Sequence, residues 1–251
     1  MTWKNAWITG ASSGLGLELA KRLEGEVAHV TISARSKGKL ERVAKASPAI
    51  DAYPLDVTDA KAVATTLAKI EKAAGPIDLA ILNAGVWHIM ESDSMELEKI
   101  RNALDVNYMG VVNCIDALLP GMLKRGSGHI AIVASVAGYR GLPKAIAYGP
   151  TKAALINLAE TLHAELEPHG VLVSVVNPGF IDTPMTEDND FPMPGIIPVE
   201  EAATLFLKGL KARKFEIIFP RGFVYMMKSL RRMPNALYFW IIRNIILPKS
   251  R

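Results

Sequence analysis

The sequence predicts an α/β protein built on a doubly wound parallel sheet, with helices on both faces. Short apolar, β-rich runs alternate with helix-patterned segments, as they do where crossover helices join parallel strands. The runs are continuous rather than alternating, which fits strands buried on both sides. A glycine-rich turn, Thr9 to Gly16 (TGASSGLG), follows the first run and opens the first helical pattern. The 251 residues, 50% hydrophobic and 22% charged, suit one such domain. No repeat, low-complexity tract or linker divides the chain. Residues 1–251 are therefore read as a single domain, with 221–251 as an apolar and basic helical extension of it.

Seven strands are expected, at NAWIT, HVTISA, DAYPLD, DLAILN, GHIAIVAS, VLVSVVN and FEIIF. Helical patterns lie between them at LGLELAKRLEG, AVATTLAKIEKAAG and KAALINLAETLHAELEPHG. In the first turn, glycines let the backbone approach a pyrophosphate, and the helix start offers unpaired N–H groups with a positive dipole end. The spacing is Gly-x-x-x-Gly-x-Gly, and a tight connection with no ligand is the plainer alternative. Ser135 closes the fifth strand, at the sheet edge where open α/β folds carry ligands. Tyr148 and Lys152 stand four residues apart, one turn on a helix face. An ammonium beside a phenol favours the phenolate and would bring a Tyr toward neutral proton exchange. Taken alone, the pair also fits a partly exposed helical contact. Pro150 is tolerable only in a first turn, so this helix is expected to begin close to Tyr148.

Cys114 is the single cysteine and lies in the apolar run VVNCIDALL. An internal disulfide is excluded, and a buried structural thiol in a reducing compartment is expected. The N-terminus MTWKNAWITG enters a strand at once, so no signal peptide is expected. No apolar run reaches the ~18 residues of a membrane span. The net charge of +4 is unevenly placed: residues 208–251 hold 11 of the 29 Lys and Arg and one acid, Glu216. The remainder is net acidic, and the apolar content of the basic end argues against nucleic acid as its partner.

The motifs TGASSGLG, LNAG (Leu82 to Gly85), Asn107 in DVNYMG, Ser135, YGPTK and PGFIDT (Pro178 to Thr183) occur in one order. In that order they resemble the short-chain dehydrogenase/reductase family, in its single-domain branch of about 250 residues. The resemblance spans roughly residues 5–220. One departure is Leu82, where the family often has a second Asn. The resemblance implies a Rossmann-type fold and NAD(P)-linked interconversion of a carbonyl and an alcohol. It implies Tyr148 as general acid/base, Lys152 as the group that tunes it and binds the ribose, and Ser135 as the substrate-orienting hydroxyl. Asn107 is implied to hold a water that links Lys152 to solvent. Gly10, Ser12, Ser13, Gly14, Leu15 and Gly16 would take the phosphates, and Asp56-Val57 the adenine. Asn83, Ala84 and Gly85 would line the cleft. Pro178, Gly179, Ile181 and Thr183 would meet the nicotinamide end.

The second strand ends Ala34-Arg35-Ser36, where an NAD enzyme carries an acid for the ribose 2′-OH. A guanidinium suits a 2′-phosphate instead, so NADP(H) is the expected cofactor, with a solvated loop charge as the alternative for Arg35. No metal is expected. The segment GFIDTPMTEDNDFPMPGIIPVEE carries four prolines with Met and Phe and reads as a loop. Phe180, Met185, Phe191 and Met193 would form an apolar lid opposite Trp87 and Leu142, suited to a hydrophobic substrate; plain packing is the alternative. A ketoacyl thioester and a long-chain or lipid-like ketone both fit that expectation. A non-catalytic NADP(H)-binding regulator is the reading from another class. The C-terminal run places Leu237, Trp240, Ile241, Asn244, Ile245 and Pro248 at helical spacing. That face either lies in a membrane interface or packs against protein. A cytoplasmic enzyme is expected, either free or peripheral at the inner face of a membrane. Family analogy implies a homo-oligomer.

Overall fold

The structure is a computed structural model and describes residues 3–47 and 49–247. All seven expected strands form and pair in parallel: β1 (Asn5–Thr9), β2 (His29–Ala34), β3 (Ile50–Pro54), β4 (Leu79–Leu82), β5 (Gly128–Val133), β6 (Val171–Pro178) and β9 (Glu216–Phe219). Their order across the sheet is 3-2-1-4-5-6-9. Two further strands, β7 (Ile181–Asp182) and β8 (Ile197–Pro198), pair with each other. They bracket the proline-rich segment, which is otherwise irregular as expected.

Period-two alternation sends neighbouring strand residues to opposite faces. Ala6 and Ile8 enter one core, with Ile32, Ile81 and Ala131. Trp7 enters the other, with Ala80, Leu82, Ile130 and Val173. The first core is covered by α1 (Gly14–Leu23), α2 (Lys37–Ala46) and α7 (Val199–Lys211). The second is covered by α3 (Ala60–Ala74), α5 (Gly110–Arg125) and α6 (Gly149–Leu166), while α4 (Leu97–Leu104) packs through Ala103 into a small separate cluster with Met90 and Ala147. In α1, Leu15, Leu19 and Leu23 recur every four residues and make one buried stripe. Each such leucine contributes about 1.5–3 kcal/mol by leaving water. The Trp7 indole N–H, buried with its ring, donates to Ser33 Oγ at 2.9 Å, as a buried indole requires.

Leu97–Arg125 forms one continuous 29-residue helical stretch, long and apolar enough by composition to cross a membrane. It is not an unbroken apolar run, since Asn107, Asn113 and Asp116 interrupt it. Its apolarity has another cause here: Val111, Cys114, Ile115, Leu118 and Met122 pack into the second core. Burial also pushes the Cys114 thiol up to about 12, which leaves it unreactive near neutral pH.

Two helices close the described chain, α8 (Arg221–Arg232) and α9 (Asn235–Ile241), the latter continuing as a wider turn through Ile246. Arg140 anchors both. Its guanidinium donates to the carbonyls of Leu230 (2.5 Å) and Met233 (2.7 Å) and to Asn235 Oδ1 (2.6 Å), satisfying acceptors that a helix end leaves free. It also lies 3.8 Å from the centre of the Tyr238 ring, whose hydroxyl donates to Gly141 O. Glu216, the lone acid of this region, accepts from Tyr139, Asn177 and Lys228. On the last helix the sequence-based apolar face points outward: Leu237, Trp240 and Ile245 face solvent, whereas Tyr238 and Ile242 are buried, so that face does not pack against this chain's own core. The reason is Arg140, which draws the amphipathic Tyr238 inward and so fixes the rotation of α9. Pro248 lies outside the described residues.

Gly10 holds a φ of +68°, and a Cβ there would stand 2.7 Å from Ala84 Cα. Gly10→Ala is expected to cost about 1–3 kcal/mol from backbone strain alone, read as a lower urea midpoint at unchanged denaturant slope.

Candidate active site

Parallel strands present their C-terminal ends to one edge, and the strand order reverses between β1 and β4. Helices leave in opposite directions there, and a crevice opens. Four hydrogen bonds hold its floor. Thr9 Oγ1 accepts from the backbone of Asn83 (3.1 Å) and Ala84 (3.2 Å). Asn83 Nδ2 donates back to Thr9 O (3.2 Å) and Gly10 O (3.1 Å). Above this floor lies a cavity of about 480 Å³.

The glycine turn forms one end of the cavity. Gly10, Ser12, Ser13, Gly14 and Leu15 line it. Ser13 precedes the first helical residue and makes no side-chain cap, so the first N–H groups of α1 remain free for an anion. Gly16 does not line the cavity, which corrects its expected place among the contacts. A Cβ on Gly16 would stand 2.6 Å from Gly10 O, so this glycine lets the helix close onto the turn. Arg35 reaches the same end from the tip of β2, exposed and beside Ala34 and Ser36. Asp56 and Val57 follow β3 and also line the cavity. Asp56 Oδ1 is taken by Thr58, through N–H at 3.0 Å and hydroxyl at 2.8 Å. A dinucleotide therefore fits this end: a bare backbone cradle, free helix N–H groups and a cation at the rim.

At the other end Ser135, Tyr148 and Lys152 converge with Ala84, Gly85, Pro178, Gly179, Ile181 and Thr183. Tyr148 caps α6 and Pro150 sits in its first turn, as expected. Ser135 Oγ accepts from Ala137 N at 3.1 Å, which orients the hydroxyl at the start of a short turn. Lys152 is only 3% exposed and donates to Val133 O at 2.8 Å. Its Nζ lies 5.3 Å from the centre of the Tyr148 ring. Burial pulls the Lys152 ammonium down to about 7. Burial likewise pushes the Tyr148 phenol up to about 12, and the Ser135 hydroxyl draws it back in part. The expectation that Lys152 depresses Tyr148 is not met in this structure: burial dominates both groups, and the group that lowers Tyr148 is the Ser135 hydroxyl.

Asn107 is fully buried in a widened helical turn, Asp105–Met109, between α4 and α5. Its Oδ1 accepts from Val86 N at 2.7 Å. Its Nδ2 donates to Val86 O (3.0 Å) and Thr151 Oγ1 (3.1 Å). Both amide hydrogens are thus used within the protein. Asn107 does not line the cavity; it brackets the segment after β4 against the first turn of α6.

Aromatic rings wall the substrate side. Trp87 meets Tyr148 edge-on at 5.0 Å between ring centres, and its Nε1 donates to Asn189 Oδ1 at 2.9 Å. Phe180 neighbours Phe191 (6.1 Å) and Phe223 (5.6 Å). Leu142 and Met185 complete the lining. Met193 does not reach the cavity; its sulfur accepts from Asn189 Nδ2 at 3.2 Å, behind the wall. Phe223, which the sequence analysis missed, comes from α8. Thr9 and Asn189 were also missed. Only Thr9 carried a signal, as a hydroxyl residue ending a buried strand beside the glycine turn.

A seven-stranded parallel sheet with its cavity at the strand-order reversal defines a Rossmann-type nucleotide-binding protein. The family model for short chain dehydrogenase matches residues 4–192. The chain belongs to the short-chain dehydrogenase/reductase family, a family of oxidoreductases that bind NAD(P). An uncharacterized oxidoreductase of Myxococcus xanthus (strain DK1622) is 33% identical over 242 residues, covering 95% of this chain and 96% of that protein. The ketoacyl reductase HetN of Nostoc sp. is 33% identical over 226 residues, 87% of this chain and 79% of its own length. A short chain dehydrogenase from Burkholderia cenocepacia J2315, solved in complex with NADP, superposes with a TM-score of 0.81 at 28% identity, over 98% of each chain.

The buried lysine has a thermodynamic signature. The unfolded chain holds Lys152 near the ordinary ~10.4, whereas the folded chain holds it near about 7. Between these values the unfolded state binds more protons, so this group makes stability rise with pH across the window and fall as pH drops toward 7. Lys152→Met is expected to flatten that rise, measured as the urea unfolding free energy from about pH 7 to about pH 10.

Proposed function

We propose that the chain is an NADP(H)-dependent oxidoreductase that interconverts a bulky, apolar ketone or aldehyde and its alcohol. The observation that carries the proposal is the convergence of Ser135, Tyr148 and Lys152 beneath an aromatic wall, in one cavity with the glycine turn. When bound, the nicotinamide cofactor supplies or accepts the hydride. The chain supplies position and a proton. Ser135 Oγ donates to the carbonyl oxygen, and Tyr148 gives that oxygen its proton as charge develops there. In the reverse direction Tyr148 takes the proton from the alcohol.

A phenol held high is a reluctant donor, so the work falls to its surroundings. Lys152, buried and near neutral titration, is the group able to restore the Tyr148 proton. Asn107 acts as a positioning residue: with both amide hydrogens spent on Val86 and Thr151, it sets the start of α6 rather than holding a water through its amide N–H groups. The rings of Trp87, Phe180, Phe191 and Phe223 exclude water from the reacting carbonyl, which strengthens each polar contact inside.

Arg35 supports the choice of NADP(H). It is an exposed guanidinium with no ion pair among the described residues, where a ribose 2′-phosphate would stand, and the similarity to the Burkholderia protein solved with NADP supports the same choice. A ketoacyl thioester is the second reading of the substrate, favoured by the similarity to a ketoacyl reductase. The protein acts as one domain, with the C-terminal extension completing the cavity wall through Phe223. Homo-oligomerisation is proposed through the exposed Leu97, Leu104, Met109 and Leu123 of the α4–α5 stretch.

NADPH oxidation against ketones and aldehydes of graded size tests the reading. Tyr148→Phe is expected to lower turnover at least about a hundredfold while NADPH still binds. Binding without turnover across the panel would favour the non-catalytic regulator. Arg35→Ala is expected to weaken NADPH about tenfold or more, as loss of a charge-assisted bond does, and to leave NADH unchanged; an unaltered ratio of the two cofactors' kcat/KM values rejects NADP(H) selection by Arg35.

A further inference from the structure

Helices α8 and α9 bury one side against the protein and leave the other apolar. Val224, Met227, Tyr238 and Ile242 face inward. Trp240, two residues past Tyr238 and so on the far side of α9, is 53% exposed. Tyr225, Leu237 and Phe239 are about half exposed on the same two helices. Single exposed apolar residues are ordinary, but a run of large ones that includes Trp, Tyr and Phe is not.

The charges carried by these two helices have one sign. Arg221, Arg232 and Arg243 are exposed on α8 and the α9 stretch. From 217 to 251 the sequence contains no Asp or Glu. The acid nearest in sequence, Glu216, is engaged by Tyr139, Asn177 and Lys228. A second copy of this chain docking by the same face would set cation against cation. A surface that accepts both aromatic side chains and arginines is instead an anionic lipid interface. Trp, Tyr and Phe settle at headgroup level there, and each nearby cation gains from the surface potential.

We propose that the outer face of α8 and α9 docks on an anionic lipid bilayer. Tyr225, Leu237, Phe239 and Trp240 enter the headgroup layer, and Arg221, Arg232 and Arg243 pair with lipid phosphates. The helices lie on the surface, since α8 and α9 are separated by Pro234 and neither is long enough to span. Phe223 sits on α8 within the cavity wall, so the docked face and the wall share one helix.

Co-sedimentation of the full chain with vesicles tests this without substrate or cofactor. The chain is expected to bind phosphatidylcholine vesicles containing phosphatidylglycerol, and to bind pure phosphatidylcholine at least about tenfold more weakly. Binding to the anionic vesicles weakens as salt rises. Phe239→Ser with Trp240→Ser, and separately Arg232→Gln with Arg243→Gln, are each expected to lower anionic-vesicle binding about tenfold. Both pairs lie on the exposed side, so the thermal midpoint should stay at the wild-type value. Equal sedimentation with both vesicle types, none with either, or undiminished binding by both double variants overturns the proposal. So does a concentration-dependent dimer that the Phe239/Trp240 variant abolishes, since this would show the face occupied by a second copy.

Discussion

The Thr9–Asn83 bracket is the constraint on which the rest of the site depends. Two adjacent parallel strands whose helices leave in opposite directions would splay at their ends. Here a threonine hydroxyl accepts two backbone N–H groups from the neighbouring strand's exit, and an asparagine amide returns two bonds to the turn. These groups are partly buried, where an unmade hydrogen bond costs more than a made one gains. The bracket brings Gly10 so close to Ala84 that no side chain fits between them. The free helix N–H groups and the residues after β4 consequently face one crevice.

Burial sets the electrostatics of that crevice. Lys152 and Tyr148 stand close enough to interact, yet both are displaced toward their neutral forms. Desolvation acts on each group singly and grows with every apolar wall added. The Val133 carbonyl accepts a hydrogen bond from the lysine without supplying a countercharge. The aromatic wall that shapes a substrate site therefore also governs the protonation of the groups beneath it. Trp87 does both at once, touching Tyr148 edge-on and tying the lid through Asn189.

What could be read from the sequence was what local pattern encodes. The seven strands are continuous apolar runs, and each pairs as expected. Tyr148, Pro150 and Lys152 declare a helix start by spacing and proline alone. The glycine turn declares a close approach of backbone. The missed parts depend on distant residues meeting. Phe223 joins the cavity because Glu216 and Arg140 pin the C-terminal helices beside the loop after β5. Nothing in the pattern of α8 marks Phe223 over its neighbours. The rotation of α9 was not legible for the same reason: periodicity finds an apolar stripe but not which way it faces, and a tyrosine with a cation over its ring and an acceptor for its hydroxyl takes the inward position. Gly16 and Asn107 were placed in the right region and serve it from behind the lining.

The Glu216 cluster has a consequence for how such a chain diversifies. It ties Tyr139, Asn177 and Lys228, residues from three separated parts of the sequence. The cradle and proton-handling groups lie before residue 192, whereas Phe223 lies on α8, beyond Glu216 in the chain. The cavity is thus built from two stretches of chain that this cluster holds together. Joining the first 192 residues of one relative to the tail of another would inherit nucleotide preference from the first parent and one wall of the pocket from the second. The graft would be tolerated only where an acid, a phenol and a lysine still meet at the seam.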